Sequence, residues 1–121
     1  MKKTAIIIIS DPKSGTDESL ARVLNAMAAA YDFKTKGEEV KILFTGTGTR
    51  WPEQLQKEDH IGNKIYKEIE DVIEGVSAAC SQIFGANPSG LDLIHNNPVP
   101  GTPGLPSIQQ LHEEGYSVLT F

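Results

Sequence analysis

The chain has 121 residues, 39% of them apolar and 22% charged, and a net charge of −5 from 11 basic and 16 acidic side chains. That length makes one domain, spanning residues 1–121, and the composition excludes a disordered chain, a collagen-like chain and a coiled coil. The acidic balance and the lack of any Lys/Arg run argue against a nucleic-acid module or a binder of anionic membranes, because each neutralised phosphate needs a basic side chain.

The first element expected is a strand over residues 5–9. Ala5 is followed by four isoleucines, and the run stops at Ser10, Asp11 and Pro12. A continuous apolar strand belongs to a sheet covered on both faces. The run is too short for a signal peptide, and no apolar stretch approaches the roughly 20 residues that cross a membrane. A loop over residues 11–16 leads to a helix from about Asp17. Leu20, Val23, Leu24, Met27 and Tyr31 recur at helical spacing, and Gly37 is the expected stop.

A second strand is predicted over residues 40–45. It runs into a flexible loop, residues 46–52, with Pro52 placed to open a short helix. Ile61, Ile65, Ile69, Val72 and Ile73 make a second helical stripe that ends at Gly75. Residues 76–80 read as a short third strand ending at Cys80, followed by a brief helix over residues 81–86. Residues 91–95 read as a fourth strand. Five of the seven prolines then fall between Pro88 and Pro106, so the segment from 96 to 106 is neither regular helix nor central strand. Ser107 caps a last helix, Gly115 stops it, and residues 116–120 form a final core strand. Alternating strands and helices imply an α/β fold around a mostly parallel five-stranded sheet with right-handed crossovers.

Ligands of open parallel sheets bind outside the carboxyl ends of the strands. That rule collects residues distant in sequence: Ser10 and Asp11 after the first strand, Gly46, Thr47, Arg50 and Trp51 after the second, Cys80 at the third and His95 at the fourth. Cys80 is the sharpest candidate. A thiolate is the nucleophile of cysteine chemistry, and a strand end leading into a helix favours it. The competing reading is a buried inert thiol. The loop over residues 10–16 looks loosely like a flavodoxin phosphate loop, but Asp17 and Glu18 at the helix start would repel a phosphate, so a capped turn is favoured. Arg50 and Trp51 suit either a pocket wall or a surface loop. His60, His95 and His112 lack the spacing of metal ligands, and His95 reads either as a group that acts on the Cys80 proton or, more commonly for a strand end, as a histidine that merely hydrogen-bonds.

Residues 76–80, Val76 to Cys80, with Ser81, Gln82, Ile83, Phe84, Gly85 and Ala86 after them, resemble the DsrE/DsrF-like family of small sulfur-relay proteins. The Ile-rich opening strand, the Phe44-Thr45-Gly46 strand end, the Gly75-Val76 entry and the closing stretch over residues 106–121 agree in order and spacing. The resemblance implies a flavodoxin-like three-layer sandwich, assembled as a trimer or hexamer. It implies that Cys80 carries sulfane sulfur as a persulfide, taken from a donor protein and passed to an acceptor, with no cofactor. A chain with one cysteine has no resolving thiol of its own, which suits a sulfurtransferase-type carrier and a reducing, cytoplasmic setting. The rival readings are a binding module for a small anion or flavin, and a structural subunit whose Cys80 is buried.

Overall fold

The computed structural model describes residues 2–121. Five strands form one all-parallel sheet: β1 (Lys3–Ile8), β2 (Glu39–Phe44), β3 (Ile73–Ser77), β4 (Leu93–Ile94) and β5 (Tyr116–Thr120). Their order across the sheet is β4-β3-β2-β1-β5. The chain thus winds outward from β1 to β4, then returns to the other flank of β1. The helices are α1 (Asp17–Thr35), α2 (Trp51–Leu55), α3 (Asn63–Ile69), α4 (Ala78–Ile83) and α5 (Ile108–Glu113). The result is a flavodoxin-like three-layer α/β sandwich.

The unbroken apolar run in β1 is explained by its position. Ile6 and Ile8 point into the larger core with Val23, Met27, Ile42, Phe44 and Ile69. Ala5 and Ile7 point into the smaller core with Leu43, Leu111 and Tyr116. All four residues from Ala5 to Ile8 are buried, and each isoleucine contributes roughly 1.5–3 kcal/mol by leaving water. In-register pairing of Ile6 with Ile42 and Ile8 with Phe44 carries the core across the sheet.

Helix α1 starts where the sequence places it. Thr16 is the N-cap and its side chain accepts from the Ser19 amide. The buried face, however, runs through Val23, Ala26, Met27 and Ala30, while Tyr31 stays exposed. Tyr31 instead lines an open surface hollow beside Ile65 and Glu68 of α3. The second stripe also divides. Only Asn63–Ile69 is α-helix, a 3-10 turn covers Glu70–Val72, and Ile73 opens β3. Ile61 lies ahead of the helix and is exposed. A β-branched pair at Val72 and Ile73 favours extended backbone, and the apolar spacing masked that switch.

The loop over residues 46–52 has regular structure. It is a 3-10 turn, Gly46–Arg50, running directly into α2 with Pro52 in its first turn. β4 is only two residues long. β5 is an edge strand rather than a core strand, with Leu119 exposed.

At the amino end of the sheet, Tyr116 donates its hydroxyl to the Glu39 carboxylate. Lys41 Nζ lies 4.6 Å from the centre of its ring. Burial first, and then the Glu39 hydrogen bond, raises the Tyr116 phenol above the ordinary tyrosine range. Burial raises Tyr66 as well. An unfolded tyrosine ionises near about pH 10, so above that pH the folded chain keeps protons that the unfolded chain loses. The linked stability is complete below about pH 10 and declines as pH rises from there toward the folded-state value. Tyr116→Phe is expected to flatten this alkaline decline, measured by urea unfolding at stepped pH. An unchanged slope would show that Tyr116 does not contribute to it.

Candidate functional site

The carboxyl ends of the strands gather the residues singled out above, but in two separate groups. The first surrounds Cys80. β3 ends at Ser77, three residues earlier than expected, and Cys80 sits in the first turn of α4 rather than on the strand. The cause is local. The Ser77 hydroxyl accepts from the Cys80 amide at 3.2 Å, an N-cap that turns the chain from strand into helix.

The Cys80 side chain reaches back over β2. Its sulfur lies 3.6 Å from the Thr45 hydroxyl, and either atom can donate. Parallel pairing of Phe44 with Val76 places the end of β2 beside the end of β3. The Thr45 amide donates to the Ile8 carbonyl at 3.0 Å, which fixes the threonine backbone to β1. Cys80 is 7% exposed. Of the first-turn amides of α4, Ala79 is bonded not locally but to the Gly104 carbonyl, at 2.9 Å.

Gly104 brings the Pro/Gly-rich segment against α4. Its φ is +109°, and a Cβ there would lie 2.7 Å from the His95 carbonyl oxygen, so only glycine fits. A two-way backbone pairing of Asn97 with Leu105 closes the segment into a hairpin-like strap. His95 itself is exposed, and its side chain makes no hydrogen bond among the described residues. The side chain bonded to the Cys80 sulfur is that of Thr45.

The second group joins β1 to α2. Arg50 Nη1 lies 3.1 Å from both Asp11 carboxylate oxygens, and Arg50 Nε donates to the Phe84 carbonyl at 3.2 Å. Trp51 is buried, and its indole N–H donates to the Ser10 hydroxyl at 3.1 Å. Thr47 donates to the Ile9 carbonyl at 2.8 Å, and Gly46 turns the chain with φ +55°. Trp51 is therefore neither loose nor on the surface. Beside this group, an open cleft of about 470 Å³ is lined by Lys13, Ser19, Arg50, Trp51, His60 and Ala86 among others. Cys80 does not line it.

The loop over residues 10–16 is the capped turn. Asp11 accepts from the Lys13 amide and from Arg50, so the nearest cation is already answered by a carboxylate. Asp17 and Glu18 occupy the first turn of α1. That arrangement disfavours a phosphate.

Thr45 and His60 carry little site signal in the sequence. Thr45 reads only as part of a strand end, although parallel pairing of neighbouring strand ends places it beside residue 80. His60 carries no sequence signal, because a turn rather than a periodic element delivers it to the cleft.

No helix among the described residues is long and apolar enough to cross a membrane. A family model described as the DsrE/DsrF-like family matches residues 2–121. No curated protein and no solved structure matches the chain.

Proposed function

The chain belongs to the DsrE/DsrF-like family, a family associated with sulfur relay, and on that premise we propose that it carries sulfane sulfur as a persulfide on Cys80. The observation that carries the reading is the Cys80–Thr45 contact at the carboxyl edge of the sheet. A thiolate has no proton to donate, so in that form the Thr45 hydroxyl must be the donor, and a hydrogen bond to a charged sulfur is stronger than one to a neutral thiol.

The step balances without an added oxidant. The Cys80 thiolate attacks the outer sulfur of a donor persulfide. The donor's S–S bond breaks, a new S–S bond forms on Cys80, and the donor leaves as a thiolate. Discharge is the same step with an acceptor thiolate attacking the outer sulfur on Cys80. The chain has one cysteine and so cannot discharge itself through an internal disulfide. At 7% exposure, the sulfur needs a local opening to meet a donor. The strap over residues 96–106, held to α4 through Gly104, is the neighbouring segment with the most exposed residues and the least regular structure. The reading includes a cytoplasmic homo-oligomer, trimer or hexamer, with protein donors and acceptors.

Intact-mass spectrometry after treatment of the folded protein with a sulfane-sulfur donor tests the reading. One added sulfur atom, removed by reductant and absent from Cys80→Ser, is expected. A thiol that gains sulfur only after unfolding would leave Cys80 as a buried structural residue.

A further inference from the structure

The cleft between the β1–α1 loop and α2 is separate from Cys80, and an inference about it does not rest on the sulfur-relay reading. Its volume of about 470 Å³ falls in the range of small-molecule sites, and it opens at the carboxyl edge of the sheet, where such folds take their ligands. Its floor and rim differ in chemistry.

The floor offers hydrogen-bond donors. Arg50 has a half-buried side chain whose Nη1 and Nε are engaged, while Nη2 has no partner among the described residues. The Gly62 amide donates to His60 Nδ1 at 2.9 Å, so the ring proton sits on Nε2. Nε2 also lacks a partner among the described residues, and the ring stands edge-on to Trp51 with centroids 6.2 Å apart. Leu20, Trp51 and Ala86 supply apolar wall.

The rim carries charge of both signs. Lys13, Asp17 and Glu53 are exposed, line the cleft, and make no ion pair among the described residues. Asp11 already answers Arg50, so with Asp17 and Glu53 the cleft has no excess positive charge. A multiply charged anion is poorly matched. A ligand with one acceptor head for the floor, one cationic group for the rim and a small apolar body matches all three surfaces.

We propose that this cleft binds a small zwitterion of the free amino-acid class, with its carboxylate toward Arg50 and His60 and its ammonium toward Asp17 and Glu53. Trp51 is the single tryptophan of the chain and lines the cleft, so it reports binding directly. The test titrates the full chain with free leucine, read by Trp51 emission and by calorimetry. Isovalerate lacks the ammonium, isopentylamine lacks the carboxylate, and inorganic phosphate serves as the simple anion. Leucine is expected to saturate, with the two half-molecules at least about tenfold weaker. Asp17→Asn combined with Glu53→Gln alters two exposed side chains. It is expected to weaken leucine about tenfold and to leave isovalerate bound at least as tightly as before. No saturable heat with leucine, equal binding of either half-molecule or of phosphate, or an indifferent double variant would each overturn the proposal.

Discussion

Gly48→Ala is expected to cost about 3 kcal/mol of stability and to disturb the thiol site at the same time. A Cβ on Gly48 would lie 2.1 Å from the Ile8 carbonyl oxygen and 2.7 Å from its carbon. Neither partner has room to yield. Ile8 is fully buried on the central part of the sheet, and Thr49 beside Gly48 is equally buried. The same Ile8 carbonyl accepts from the Thr45 amide, so pushing it away loosens the residue that touches Cys80. Urea unfolding should show a clearly lowered midpoint, with the slope retained if the native state is otherwise intact. An unchanged midpoint would mean that the 3-10 turn over Gly46–Arg50 can lift from β1 at little cost. The packing account of the site would then be wrong.

Thr45→Val is expected to slow sulfur loading of Cys80 about tenfold, the size of one hydrogen bond to a charged group. Valine has the shape of threonine, so the packing at the end of β2 is nearly kept while the donor is lost. Thr45→Ser keeps the hydroxyl and should recover most of the rate. Time courses of mass gain, run beside an unfolding curve for each variant, separate the two causes. Equal slowing in valine and serine variants would point to packing rather than to hydrogen bonding. No slowing in either would remove Thr45 from the chemistry.

Much of the fold was legible in the sequence because it rests on local signals. The isoleucine run demanded two covered faces, which Ile6, Ile7 and Ile8 have, whereas Ile9 lies beyond the end of β1 and is exposed. Ser107 caps α5 through the hydrogen bond its position suggests, and Thr16 caps α1 at the end of the turn over residues 10–16. Boundaries failed where two signals overlapped. At residues 69–73 the helical apolar spacing continues into a β-branched pair, and the chain follows the pair into β3. At residues 76–80 small residues suit strand and helix equally, and the Ser77 cap decides for helix, carrying Cys80 with it.

The candidate site was legible only as an edge. The carboxyl-end rule brought Ser10, Asp11, Arg50 and Trp51 to one place, and their hydrogen bonds join them. It could not divide the edge into a thiol corner and a cleft, because that depends on which way Arg50 turns. Tied to Asp11 and to the Phe84 carbonyl, Arg50 links the segment after α4 to the β1 loop and faces the cleft. Thr45, His60 and Gly104 enter through register, a turn and a strap. None of these leaves a periodic trace in the sequence.

The most direct test of the central claim follows sulfur through a full cycle. The folded protein is loaded with isotopically heavy sulfane sulfur, freed of donor, and mixed with an excess of a small acceptor thiol. The heavy atom is expected to leave as acceptor persulfide in step with the return of Cys80 to its free-thiol mass, and Cys80→Ser is expected neither to load nor to deliver any. A label that never joins the folded protein, or that joins and stays until a strong reductant strips it, would contradict a carrier role for Cys80.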